Sequence, residues 1–261
     1  MGNSLDRHLS AYEKNSEDEF DFDNRVILNW YPHRILSHTK GRSSLLELGL
    51  GHGFSTSLLA GNFSRHVVVE GSPSVIKLFR SRHPEFSGIV VDSLFEHYET
   101  LEKFDVIVMG FVLEHVDNPT QVINHFRKFL APGGRIFIAV PNAESMNRRL
   151  GLLAGMLDNL DDLSDYDHEL GHQRYYTVDS LLATIEQCGL HTELLEGVFL
   201  KPLSSANLES LDLPAEILQA LCTLGIDHPQ LSLGLLVAVS DPDRAQTLVD
   251  KRGDRKMLPE K

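Results

Sequence analysis

The stretch LLELGLGHGFSTSLLA, residues 45–60, decides how the chain is read. An apolar run carries the acid Glu47, turns through Gly49, Gly51 and Gly53 at alternate positions, and passes into a helical pattern. A glycine-rich turn between a strand and a helix brings the backbone close to a ligand where a side chain would clash, at the open carboxyl edge of a sheet. The spacing narrows the ligand. A dinucleotide turn runs G-x-G-x-x-G with the pyrophosphate on the helix N-terminus, and Phe54 stands where its last glycine belongs. The P-loop lysine is missing as well. Glu47, two residues before the first glycine, repels a pyrophosphate but welcomes a cation or an ammonium group.

Outward from this turn, short apolar runs recur at SLLEL (44–48), HVVVE (66–70), IVV (89–91), FDVIVMG (104–110) and RIFIAV (135–140), with helical stretches between them. Runs apolar on both faces that alternate with helices predict parallel strands covered on both sides. Two later runs, 190–200 and 231–240, can pair as an antiparallel edge, with a helix around 214–223 between them. The fold class is α/β: a doubly wound, Rossmann-like sheet of seven strands, mostly parallel with an antiparallel final strand. TVDSLLATIEQCGL reads as a further helix, capped by Thr177 or Asp179, buried through Leu181, Leu182 and Ile185, and stopped by Gly189.

Five segments follow. Residues 1–40 form an N-terminal helical cap, in which Val26, Ile27, Trp30 and Tyr31 sit at helical spacing and Pro32 ends one helix and opens the next. Residues 41–141 are the cofactor-binding core, and 142–176 are a lid or substrate insertion. Residues 177–240 complete the core, and 241–261 are a charged tail. Met146, Met156 and the surrounding leucines are expected to pack a lid helix.

The chain has 261 residues, with 37 acidic against 24 basic side chains and a formal charge of -13. That balance opposes a nucleic-acid partner, because phosphate binding needs a basic surface. No apolar run reaches the roughly 20 residues that span a bilayer, and no export signal is visible, so a cytoplasmic protein without membrane association is expected. Cys188 and Cys222 fall in helical segments, which predicts neither a disulfide nor a cysteine zinc site. The expected partner is a small molecule, and the expected state a monomer or homodimer.

Glu70 ends the second strand 21 positions after Gly49, where a carboxylate can accept from both ribose hydroxyls. Asp92 ends the third strand, within reach of an adenine amino group. Acid, alternate glycines, acid and acid describe a site for an adenosine with a zwitterionic, net positive tail, which S-adenosylmethionine fits better than NAD. The segments ELGLGHG, VVVEGS, VVDSLFE, FDVIVMGFVLEHVDNP, LAPGGRIFIAVPN and HQRYYTVDSLLATIEQCGL, in that order, resemble the class I S-adenosylmethionine-dependent methyltransferases, particularly the small-molecule group of the ubiquinone-biosynthesis type.

The resemblance implies that Gly49, Gly51 and Gly53 line the methionine portion with Glu47 nearby. It implies that Glu70, beside Gly71, holds the ribose, that Asp92 and Ser93 hold adenine, and that Gly110 and Phe111 present a backbone carbonyl to the ammonium group. Tyr12 or His52 is the candidate donor to the methionine carboxylate. The product is S-adenosylhomocysteine, and no metal is expected. Two other readings stay open: a non-catalytic partner module of the same fold, and an NAD-dependent oxidoreductase whose glycine spacing is not met.

His115 in LEHV is the leading general base, since it follows the fourth strand on the ligand edge and an imidazole titrates near pH ~6.5. Its neighbour Glu114 reads as pointing away or supporting local structure. DHELGH (167–172) carries the His-Glu-x-x-His spacing of a zinc protease, but Gly171 weakens the helix between the histidines and no third ligand is evident. Its residues are read instead at the edge of the acceptor pocket. His168, His172 and Arg174 are hinge hydrogen-bonders or substrate contacts, with His172 a second catalytic candidate. Of Tyr175 and Tyr176, one should be buried and the other should face the pocket, and Tyr31 is a wall or core residue. The acidic run from Asp158 to Glu169 reads as a solvated face or as an attractor for an amine-bearing substrate.

Overall fold

The computed structural model describes residues 22–244, and the apolar runs become the strands of one seven-stranded sheet. They are β1 (Ser44–Leu48), β2 (Arg65–Glu70), β3 (Ile89–Asp92), β4 (Phe104–Gly110), β5 (Leu130–Pro141), β6 (His191–Val198) and β7 (Gly234–Ser240), in the order β3-β2-β1-β4-β5-β7-β6. The first five pair in parallel, whereas β7 runs antiparallel to both β5 and β6. The final strand is therefore antiparallel as expected, but it is an inner strand, and β6 takes the edge. Strand order reverses between β1 and β4, which opens a crevice at their carboxyl ends.

The helices are α1 (Phe22–His38), α2 (Phe54–Leu59), α3 (Pro73–Arg82), α4 (Pro119–Arg127), α5 (Met146–Leu153), α6 (Asp165–Leu170), α7 (Val178–Gln187), α8 (Ser205–Ser210) and α9 (Ala215–Ile226). Strand periodicity sends neighbouring residues to opposite faces of the sheet. Leu46, Leu48, Ile107, Met109, Ile136 and Ile138 pack with Phe126 and Phe129 and with Leu181 and Ile185 of α7. Leu45, Val106, Val108, Phe137 and Ala139 pack with Ile27, Tyr31 and Ile35 of α1 and Cys222 of α9. Each such large side chain contributes about 1.5–3 kcal/mol on burial. Cys188 and Cys222 are free and buried. No helix among the described residues is long and apolar enough to cross a membrane.

Two expectations are corrected. α1 runs through Pro32 as one helix instead of breaking there. A proline inside a helix costs about 3 kcal/mol, and burial of Phe22, Ile27, Tyr31, Pro32 and Ile35 on one face offsets it. Arg34 also donates to both oxygens of Glu196 at 2.9 and 2.7 Å, tying α1 to β6. The second correction concerns α5, which buries no residue, while Leu153 and Met156 are 84% and 81% exposed. The helix is held through arginines rather than by apolar packing. Arg148 donates to the carbonyls of Leu160 and Asp162, and Arg149 to that of Glu144.

α7 follows its sequence pattern. Thr177 and Ser180 form a reciprocal cap, Leu181 and Ile185 are buried, Leu182 is half-buried, and Gly189 turns the chain at φ 64°. Just before it, Tyr176 is buried and bridges to Asn142, while Tyr175 faces a large cavity.

Candidate functional site

A cavity of about 1200 Å³ lies over the carboxyl ends of β1, β2 and β4, with α1 on one side and residues of the 164–175 segment on the other. Its lower half is shaped by the glycine turn. Gly49, Gly51 and Gly53 have φ of 77°, 48° and 86°, a left-handed region that side-chain-bearing residues rarely adopt. A Cβ at Gly53 would lie 2.8 Å from the Phe79 ring, whereas one at Gly51 would meet no atom within 4 Å. Gly53 is therefore small for packing, and Gly51 leaves its backbone open.

Glu70, at the end of β2, accepts hydrogen bonds from the amides of Leu50 at 3.0 Å and Ser72 at 2.8 Å, one on each oxygen. Burial raises its carboxyl above the ordinary carboxylate value, against the pull of these amides. The Gly71 amide lowers it as well, and since a carboxylate has about four lone-pair sites, Glu70 keeps capacity for a hydroxyl donor. Glu47 is more committed: it is buried, paired with His66 Nε2 at 2.8 Å, and accepts from Thr56 Oγ1 at 3.1 Å. At the end of β4, Gly110 is small because a Cβ there would collide with the Tyr31 hydroxyl. The next residue, Phe111, adopts φ 55°, an outlier for an aromatic residue, and its ring meets Tyr31 edge-on at 5.5 Å.

The upper half gathers titratable groups from distant parts of the chain. His115 and His172 meet ring to ring at 4.7 Å. His172 Nδ1 lies 2.8 Å from Asp167 Oδ1, while Asp167 Oδ2 accepts from the Tyr175 hydroxyl at 2.8 Å and from the Ser164 amide at 2.8 Å. Burial by itself would raise the Asp167 carboxyl, but hydrogen bonds from His172, Ser164 and Tyr175 overcome it and hold the group far below the usual carboxylate range. Glu114 is fully buried with no hydrogen-bond partner on either oxygen. Burial pushes its carboxyl up to about 7, with His172 and Arg174 opposing the rise. Glu114, His115 and His172 bring an oxygen and two nitrogens within 4.8 Å of one another.

Most of the residues singled out in the sequence line this cavity: Glu47, Gly49, Gly51, Gly53, Glu70, Gly71, Gly110 and Phe111 in one half, and Tyr31, His115, His172 and Tyr175 toward the other. Asp92 and Ser93 do not. Asp92 pairs in register beside Glu70 but is exposed, and Ser93 Oγ turns to the Leu94 carbonyl, so Leu94, Phe95 and Glu96 form that wall instead. His168 is exposed outside the cavity. The Arg174 guanidinium is spent on the carbonyls of Leu113 and Val116 at 3.1 and 2.5 Å, a structural clamp under the β4 turn. His52 lines the cavity, and burial with Arg82 nearby lowers its pKa to about 4, so it is neutral at pH 7. Tyr12 lies outside the described residues.

Two residues escape a reading of local sequence. Glu114 sits at the inner end of the cavity rather than pointing away, and Asp167 orients His172. The adjacency Glu114-His115 and the Ser164-x-x-Asp167 capping box were the available signals. The zinc-protease spacing dissolves in three dimensions: α6 ends at Gly171, φ 82°, so His168 and His172 do not share a helix. His172 turns back onto Asp167 instead.

A family model described as a methyltransferase domain matches residues 23–195. A ubiquinone biosynthesis O-methyltransferase of Idiomarina loihiensis is 25% identical over 203 residues, covering 72% of this chain and 78% of that protein. Another protein of that name, from Xylella fastidiosa, is 28% identical over 185 residues, covering 69% and 72%. Among solved structures, the N-methyltransferase NodS of Bradyrhizobium japonicum in complex with S-adenosyl-L-homocysteine aligns with a TM-score of 0.58 at 17% identity, covering 92% of this chain and all of that one (100%). An S-adenosylmethionine-dependent methyltransferase of Mesorhizobium loti aligns with a TM-score of 0.56 at 15% identity, covering 81% and 97%. At these identities the structures establish the shared fold.

Proposed function

The chain belongs to the class I S-adenosylmethionine-dependent methyltransferases, and on that premise we propose that it methylates an oxygen or nitrogen nucleophile of a small-molecule acceptor by in-line displacement. The observation that carries this reading is the continuity of the cavity, which joins the glycine turn and Glu70 to the His115, His172 and Asp167 group.

The residues present suit the donor. Glu70, fixed by the backbone amides of Leu50, Gly71 and Ser72, keeps acceptor capacity for a ribose, and the open backbone at Gly51 suits the methionine portion. S-adenosylmethionine supplies the activated methyl group on its sulfonium, so the protein's task is to position the acceptor and remove its proton. His172 is the group best suited to take that proton. With Nδ1–H donating to Asp167, its Nε2 is left as the acceptor, and the carboxylate stabilises the imidazolium once formed. His115, packed against that ring, is the alternative acceptor.

Calorimetry with S-adenosylhomocysteine tests the donor half. The wild type should bind it, and Glu70→Ala should weaken binding about 100-fold, as expected for losing charged hydrogen bonds worth roughly 1.5–3 kcal/mol each. Binding of NAD in its place would overturn the reading, and binding of neither would favour a non-catalytic partner module.

A further inference from the structure

Resting on the methyl-transfer reading above, we propose that the acceptor is an amine, recognised in its ammonium form by Glu114 and methylated on nitrogen. Four carboxylates line the acceptor half of the cavity, Asp23, Glu114, Asp117 and Asp167, and among the described residues no lysine or arginine lines any part of it. The nearby cations are turned to other work. Lys201 is buried in an ion pair with Asp23 and a hydrogen bond with Ser205. Arg174 is held on backbone carbonyls, and Arg148 is held on carbonyls while lying over the Tyr175 ring. An anionic acceptor meets no lysine or arginine in such a lining.

The four acids differ in what they still need. Asp23 has Lys201 on Oδ2, with Oδ1 unpartnered, Asp117 has the Gln173 amide, and Asp167 has Ser164, Tyr175 and His172. Glu114 is fully buried at the inner end of the cavity with both oxygens unpartnered. A buried carboxylate without a partner bears the loss of hydration with no compensating attraction, and a cation is the ligand that compensates it. The raised carboxyl pKa of Glu114 fits a group awaiting a positive partner.

Nitrogen suits the reaction as well. An ammonium acceptor loses one proton to His172 Nε2. The freed nitrogen pair then forms the C–N bond as the C–S bond breaks, its electrons remain on sulfur as a thioether, and the methylated nitrogen carries the positive charge. That charge develops beside Glu114, where it is stabilised. Ionising a phenol or alcohol would instead place a new negative charge among four acids.

The test is calorimetry on the protein saturated with S-adenosylhomocysteine, using two matched sets: tyramine, 4-ethylphenol and 3-(4-hydroxyphenyl)propionate, then hexylamine, hexanol and hexanoate. At least one amine should bind ten-fold or more tightly than its neutral and anionic counterparts, and Glu114→Gln should abolish that preference while leaving S-adenosylhomocysteine affinity unchanged. Equal or tighter binding of the neutral or anionic member overturns the proposal, as does failure of both amines. Saturable Zn²⁺ or Mg²⁺ binding that depends on Glu114, without an amine preference, also overturns it in favour of a metal. The wild-type comparison stands alone should the variant fail to fold. Loss of S-adenosylhomocysteine binding in the wild type would instead strike the methyl-transfer reading itself.

Discussion

The two halves of the cavity are built by different means. The half around the glycine turn comes from one stretch of backbone and the ends of adjacent parallel strands: Gly49 to Gly53 follow β1, Glu70 ends β2, and Gly110 ends β4. The half around His172 is assembled from α1, the turn after β4 and the 164–175 segment. The first is shaped by conformations local to a few residues, and the second by tertiary packing. The two should therefore fail separately. His172→Ala should lower kcat on the order of 10²–10⁴-fold, the usual worth of a positioned general base, with affinity for S-adenosylhomocysteine within two-fold of wild type. Unchanged turnover would return His172 to a structural role and leave His115 as the base.

That contrast explains what could be read from sequence. SLLEL and FDVIVMG became strands with the expected bounds, because a run buried on both faces leaves few alternatives. The glycine turn was legible because its constraint is in the backbone. Pro32 misled, since a local helix breaker is outweighed by burial that only the folded sheet supplies. The leucines after Met146 misled in the other direction, having no opposing surface. The role of Glu114 was hidden because the residue it faces, His172, lies far along the chain, and that of Asp167 because its contact depends on a turn within its own segment. Asp167 meets His172 only because Gly171 reverses the backbone, and Glu114 meets it only because the 164–175 segment folds over β4.

A smaller effect separates the halves through pH. The Glu114 carboxyl is raised from 4.5 to about 7, so the folded protein holds a proton there that the unfolded chain releases at lower pH. Stability tied to that proton is complete below the unfolded value and is lost as pH rises through about 7. Glu114→Gln carries no such proton. Its stability relative to wild type should therefore grow between about pH 4.5 and 7.5, by something on the order of 2 kcal/mol. Denaturant titrations of both proteins at several pH values measure the difference. A constant gap would mean that Glu114 is ionised and satisfied at low pH as well.

The smallest effect is expected just outside the cavity. Of the acidic run after α5, only Asp167 lines it, whereas Asp161, Asp162 and Asp165 are exposed. Exposed charges are screened within about 8 Å at physiological ionic strength, so these three can attract a cationic acceptor from solution but cannot hold it. Replacing all three with asparagine should raise KM no more than about two-fold, and only at low salt, with kcat unchanged. Asp162 also accepts from the Asn159 amide at 2.9 Å, and asparagine keeps an acceptor oxygen there. Steady-state kinetics across a salt series read this directly. A salt-independent rise in KM would bring the run into the acceptor site, and the boundary between the inner acids and the outer ones would lie further outward.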